Sequence, residues 1–243
     1  GDAGHSASEE CPAIDRTAKL FIGGKQVRPD SGYSYPVVNP SGVLAGEAGL
    51  GNRKDIRNAV EAAHKAGGWA RTTAHNRAQI LYYLAENLST RAAEFADRLT
   101  LVTGADGSAA EREVACSIER LFHYAAWADK WDGAVHRTPF RNVTLAMPEP
   151  LGVMGIVCPD ELPLLGFVST VAPAIAVGNA VVAVPSQSAP LLATDFYQVL
   201  ETSDVPAGVV NIVTGARDEL AEVLAAHDDV DGVWYFGPRQ GCA

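Results

Sequence analysis

No apolar stretch in these 243 residues approaches the ~20 needed to cross a bilayer, so no membrane helix is expected. Basic residues are scarce: 19 Lys and Arg stand against 29 Asp and Glu, for a net charge of −10. That balance argues against nucleic acid as a partner, because an acidic surface repels a phosphate backbone. The four cysteines, Cys11, Cys116, Cys158 and Cys242, form no Cys-x-x-Cys pair, and no Cys/His cluster has zinc-ligand spacing. A secretory signal is also missing, so free thiols in a reducing cytoplasm are expected. The histidines are scattered, and none sits in a motif with Ser, Cys or a metal partner. There is no internal repeat and no low-complexity tract. What is present is the composition of a soluble globular protein, 47 % hydrophobic and 20 % charged, long enough for one sizeable core.

Residues 1–17 are small, polar and acidic without period, and read as a linker or frayed terminus. The rest, 18–243, has two rhythms. In the first part, 18–133, a strand at Lys19–Lys25 enters a turn at Gly23-Gly24, and three helices follow. Ile56, Val60 and Ala63 share a face of the first, which Gly67-Gly68 stops. The second carries Ile80, Leu81, Leu84 and Leu88, then Phe95, Leu99 and Val102 as far as Gly104. In the third, Ser108 and Glu111 have capping-box spacing, and Val114, Ile118, Leu121, Phe122 and Ala125 line one side. In the connecting part, 134–150, residues 141–147 alternate with period two, as in a half-buried strand reaching out as an arm.

The second part, 151–243, alternates apolar runs at 152–157, 180–184, 209–213 and 232–236 with helical stretches at 164–177, 190–201 and 217–226. Unbroken Val/Ile/Ala runs suit strands buried on both faces. Strand–helix repetition of this kind predicts an α/β fold, a Rossmann-like doubly wound parallel sheet. The four cysteines offer no nucleophile in a recognisable setting: Cys158, ending a core strand, and Cys116, on the third helix, read as small buried hydrophobes. Trp69, Trp127, Trp131 and Trp234 read as packing residues, with too few basic neighbours for a stacking platform.

Several segments are similar to aldehyde dehydrogenases. Tyr124-Ala-Ala-Trp-Ala-Asp-Lys-Trp-Asp-Gly133 resembles the long helix before that family's oligomerisation strands. Asn39-Pro-Ser-Gly42, Ala59-Val-Glu-Ala-Ala63 and Gly68-Trp69 resemble its N-terminal segment, and Pro148-Glu-Pro-Leu-Gly-Val153 its entry into the first cofactor-domain strand. Pro173-Ala-Ile-Ala-Val-Gly-Asn-Ala-Val-Val182 and Pro206-Ala-Gly-Val-Val-Asn-Ile-Val-Thr-Gly215 are close to family signatures. The resemblance runs in order from about Lys19 onward. It implies an NAD-binding fold, with Ser186, Gln187, Gly215 and Gly237 as the remaining, weakened cofactor positions.

The departures matter as much. Where the family carries Pro-Trp-Asn-aromatic-Pro, with an Asn amide at the oxyanion, this chain has Pro159-Asp160-Glu161-Leu162-Pro163. Glu161 thus occupies the oxyanion Asn position. Losing such a donor costs about 3–4 kcal/mol of transition-state stabilisation, and a carboxylate there repels the oxyanion besides. Without that role, Asp160 and Glu161 are expected at the positive end of the helix starting near Leu164. The family's Lys-Pro-Ser-Glu, which holds the adenosine ribose, is Val184-Pro185-Ser186-Gln187 here, and its Phe-Thr-Gly-Ser turn at the pyrophosphate is Tyr235-Phe236-Gly237-Pro238. Val184 offers no polar group, Gln187 no charge, and Pro238 no N–H. The family's nucleophilic Cys and general-base Glu lie beyond this segment. Cys242 follows the Gly237 turn too closely to be that Cys.

These changes together resemble the second, non-catalytic region of family 16 aldehyde dehydrogenases, as do Cys158-Pro-Asp-Glu-Leu-Pro-Leu-Leu165 and Val233-Trp-Tyr-Phe-Gly237. That resemblance implies a domain serving structure and assembly, with no catalytic residue and no metal. A preceding catalytic domain is its implied partner, the parent protein oxidises aldehydes with NAD, and this chain binds little or none. A homo-oligomer, as a homodimer, would form through the 141–149 strand. The competing expectation is the NAD-binding half of an active dehydrogenase completed by downstream residues.

Overall fold

The computed structural model describes residues 18–238; residues 1–17, Cys11 among them, and Cys242 lie outside it. Strands β1 (Leu20–Ile22) and β2 (Lys25–Val27) form a hairpin whose turn glycines, Gly23 and Gly24, have φ of 63° and 75°. A second hairpin, β3 (Ser34–Val38) and β4 (Leu44–Gly49), turns at 39–43, where the Asn39 side chain accepts from the amides of Ser41 and Val43. The sequence reading missed this hairpin.

Helix α1 (Arg53–Lys65) starts in a capping box of Asn52 and Asp55 and buries Ile56, Val60 and Ala63. A 3-10 turn at Gly67–Arg71 follows. The expected second helix is two, α2 (Ala74–Thr90) and α3 (Ala92–Thr103), because Arg91 leaves helical geometry at φ −108° and turns its guanidinium onto Glu94. Gly104, at φ 72°, ends the second of them in a left-handed cap. Helix α4 (Gly107–Ala128) is capped by Asp106, which accepts from the Ala109 amide, and not by Ser108 as its spacing with Glu111 suggested. Val114, Leu121 and Ala125 are buried on it, whereas Phe122 is exposed.

The arm is a two-stranded ribbon, β5 (Ala134–His136) against β6 (Thr144–Ala146). It is not half-buried: Val143, Leu145 and Met147, the apolar set of its alternation, all face solvent. Then come β7 (Val153–Val157), α5 (Pro163–Ala176), β8 (Ala180–Val184), α6 (Leu191–Thr202), β9 (Val210–Ile212), α7 (Arg217–Ala225) and β10 (Gly232–Tyr235).

The main sheet has the order β10-β7-β8-β9-β1-β2, parallel from β10 to β9, with the N-terminal hairpin added antiparallel at the far edge. Alternation along β7 feeds two cores. Val153 and Val157 pack with α1 and α7 through Ile56, Val60, Leu220 and Leu224. Met154 and Ile156 pack on the other side with α5 and α6, beyond which lie α2–α4. The central strands β7, β8 and β9 are buried throughout, as their unbroken apolar runs predict. β10 is not: it is an edge strand, with Val233, Trp234 and Phe236 exposed.

Candidate functional site

Chain connections reverse beside β7. α5 carries the chain from β7 to β8 over one face, and α7 carries it from β9 to β10 over the other. Open α/β sheets place ligand crevices at such a reversal, outside the carboxyl ends of the strands. Pro159–Leu162 follow β7, Ser186 and Gln187 follow β8, Gly215 follows β9 and Gly237 follows β10. Glu161 and the four expected cofactor positions therefore lie on this one edge.

What fills the edge is protein. The Ser186 hydroxyl donates to Asp160 Oδ1 at 2.8 Å, and Arg217 Nη1 donates to Asp160 Oδ2. Ser186 Oγ also accepts from the Ala189 amide at 3.1 Å, which fixes the loop after β8. Gln187 Oε1 takes the Arg217 amide at 3.0 Å, capping α7, and its backbone carbonyl accepts from Tyr35 of the β3–β4 hairpin at 3.2 Å. Burial and the nearby Asp160 push the Tyr35 phenol up, so it remains a donor at neutral pH. Val184 lies wholly in the core, so its contribution is packing against Val157 and Leu220.

Gly215 serves a close backbone approach. At φ +152°, a Cβ there would meet the Gly51 carbonyl at 3.1 Å, while the Gly51 amide donates to Thr214. Gly237 lies under the Tyr235 ring, 2.3 Å from where a Cβ would stand, and the Tyr235 hydroxyl reaches Asp218 at 3.1 Å.

Neither acidic residue after β7 meets the helix end expected for it. Glu161 is exposed, and Asp160 points to Arg217. The first free amides of α5, at Leu164 and Leu165, are taken instead by Glu113 of α4, at 2.9 and 3.2 Å. Glu113 is 7 % exposed, and burial raises its carboxyl above the ordinary range against the pull of those two amides. Leu162, the residue before α5, is left-handed at φ 48°.

Cys158 is buried beside Thr170, and burial pushes its thiol up to about 12, which keeps it protonated and unreactive at neutral pH. Cys116 is exposed on α4, contrary to the buried reading. Trp69 alone of the four tryptophans is buried, donating to the Ile175 carbonyl at 2.9 Å; Trp127, Trp131 and Trp234 are exposed. They sit at the end of α4, just before β5, and on the edge strand, and among the described residues they are only partly covered, Trp127 by the His123 ring. Among the described residues no cluster of three or more His, Cys, Asp or Glu could hold a metal, and no helix is long and apolar enough to cross a membrane.

The two residues that organise the edge, Arg217 and Glu113, were not singled out in the sequence. Their partners are 57 and 51 positions away, so no local spacing marks them.

The sequence model of the aldehyde dehydrogenase family matches residues 27–240. Cytosolic 10-formyltetrahydrofolate dehydrogenase of Mus musculus is 35 % identical over 231 residues, covering 91 % of this chain and 26 % of that protein. An aldehyde dehydrogenase of Agaricus bisporus is 34 % identical over 227 residues, covering 90 % of this chain and 45 % of its own. The crystal structure of an NAD-dependent aldehyde dehydrogenase from Sinorhizobium meliloti superposes with a TM-score of 0.86 at 29 % identity, over 89 % of this chain and 44 % of that one. The chain spans less than half the length of each of these relatives.

Proposed function

Because this chain belongs to the aldehyde dehydrogenase family, we propose that it is a non-catalytic domain of that fold, serving the structure and assembly of a longer NAD-dependent enzyme. It resembles the second region of the family 16 enzymes. The parent protein oxidises aldehydes to acids through a Cys outside this chain, in a preceding domain, and NAD belongs to that catalytic part. The observation that carries the reading is the closure of the carboxyl edge by Asp160, Ser186 and Arg217.

The residues present do not fit a dinucleotide. The hydroxyl and guanidinium that could hold ribose or phosphate already share an internal carboxylate. Val184 is in the core, Gln187 caps α7, and the first turn of α7 carries Asp218 and Glu219. Glu161 adds an exposed negative charge where an oxyanion would need a donor. Of Ser186, Gln187, Gly215 and Gly237, the first two are engaged with protein partners, Gly215 serves a close backbone approach and Gly237 makes room for the Tyr235 ring.

The ribbon supports the assembly role. Val135, Val143, Leu145 and Met147 stand exposed on the ribbon, as do Trp127 and Trp131 just before it in the chain, apolar surface suited to a second copy or to the preceding domain. Two measurements test the proposal. The purified chain should give no NADH with aldehyde and NAD, and calorimetric titration with NAD should show no binding tighter than about millimolar. NADH production that is lost in Cys158→Ala, or a micromolar isotherm, would restore the reading of an active cofactor-binding half.

A further inference from the structure

We infer that Asp160 is the residue that shuts this cleft to phosphate-bearing ligands, acting as a built-in anion for Arg217. The inference rests on the closed-cleft reading above and adds its cause. The described residues of the four loops leaving the parallel strands, 158–162, 185–190, 213–217 and 236–238, contain one cation, Arg217. Its side chain is 13 % exposed, and a guanidinium withdrawn that far from water needs an anionic partner. The planar fork of arginine donors suits phosphate as well as carboxylate, so Arg217 is the natural phosphate anchor of this edge.

Asp160 takes that place. One of its oxygens accepts from Arg217 Nη1, and the other accepts from the Ser186 hydroxyl at 2.8 Å. It thereby lies between the donors that an incoming phosphate would use, and its charge repels that phosphate as well. The fit is incomplete on one side. Among the described residues, Arg217 Nε is buried without a hydrogen-bond partner, and the Asp218 carboxylate oxygen paired with it is 3.8 Å away. A bidentate acceptor would use this atom, so the guanidinium retains capacity for a second oxygen that Asp160 does not supply.

Removal of the carboxylate leaves Arg217 Nη1 without its acceptor and Ser186 with only the Ser188 hydroxyl, 3.2 Å away, and a phosphate then engages both. The experiment is calorimetric titration of ADP, with adenosine as control, into the native chain, Asp160→Ser and the double variant Asp160→Ser/Arg217→Ala. The native chain shows no isotherm into the millimolar range. Asp160→Ser binds ADP at least about tenfold more tightly, the gain expected of one charge-assisted hydrogen bond, and leaves adenosine affinity unchanged. The added Arg217→Ala change abolishes the gain. If Asp160→Ser fails to fold, as judged by melting, Asp160→Asn decides, since it keeps the size and the Ser186 contact while removing the charge. Folded variants that bind no better than the native chain overturn the inference and leave the closed-cleft reading standing, as does a gain that survives loss of Arg217 or extends equally to adenosine. Micromolar binding by the native chain overturns both.

Discussion

At the carboxyl edge of the sheet, Asp160, Ser186, Gln187 and Arg217 bond to one another across three connections, and the Tyr35 hydroxyl donates to the Gln187 carbonyl. The β5–β6 ribbon does the reverse. Its side chains reach no core, and Val135, Val143, Leu145 and Met147 are between 57 % and 76 % exposed. In the first region, polar groups that a ligand could have used bond to one another, Arg217 Nε excepted. In the second, apolar surface that a core could have used is left unsatisfied. The contrast can be tested from both ends.

The largest effect should come from the ribbon. Leu145→Asp places a charge in the middle of its apolar set and should reduce the assembled mass in light scattering to that of the smallest species. Folding free energy should change by less than about 0.5 kcal/mol, since Leu145 buries little in the isolated fold. An unchanged mass would mean that the ribbon is not an assembly element. At the sealed edge the order of effects inverts. Arg217→Ala strips Asp160 of its charged partner and should cost about 2 kcal/mol in denaturant unfolding, with no change in mass. If it costs no more than Leu145→Asp does, the edge is not held by this network.

A smaller effect separates Glu113 from the exposed ion pairs. Burial raises the folded-state carboxyls of Glu113 and Asp55 above their unfolded values, so the stability they contribute is full below the unfolded value and lost as pH rises through the folded one. The native chain should therefore gain stability as pH is lowered from neutrality toward the ordinary carboxylate range of about 4. Glu61 and Asp129 are lowered by Lys65 and Lys130 and contribute stability that is lost only below that range. Thermal melting of Glu113→Gln should show a flatter rise over the same interval; an identical slope would assign the effect to other groups. The smallest expected change is a gain. Leu162 is left-handed and largely exposed, so Leu162→Gly should stabilise the fold by about 0.5–1 kcal/mol, and a loss in the same measurement would show that its side chain is held by contacts.

How much could be read in advance followed the range of the forces involved. The strands β7, β8 and β9 and helices α5–α7 were legible to within about two residues, because unbroken Val/Ile/Ala runs and helical periodicity are local signals. The break at Arg91 was not, since Leu88 and Phe95 keep the apolar pattern going across it. Hydrophobic pattern also misled at β10 and the ribbon. Val233 looks like a core residue in a window of seven, and only sheet order shows that it lies on an edge; the ribbon was expected as an arm, but Leu145 on it is exposed and not half-buried. Ser186, Gln187, Gly215 and Gly237 share one edge because each follows a strand, an arrangement the strand pattern already implied. The Asp160–Arg217 and Glu113–Leu164 contacts required the tertiary fold, and with them went the expectation that Asp160 and Glu161 face the end of α5.

The distribution of tryptophan has an optical consequence. Trp69 is locked in the core, and its indole emission will respond to global unfolding. Trp127, Trp131 and Trp234 stand in water beside the ribbon and on the free edge of the sheet, so their emission is red-shifted and open to quenchers in the isolated chain. A protein that covers either surface must shift that emission to the blue and shield it from iodide or acrylamide, while Trp69 stays silent. The chain thus carries its own fluorescent report of docking, separable from folding without a label.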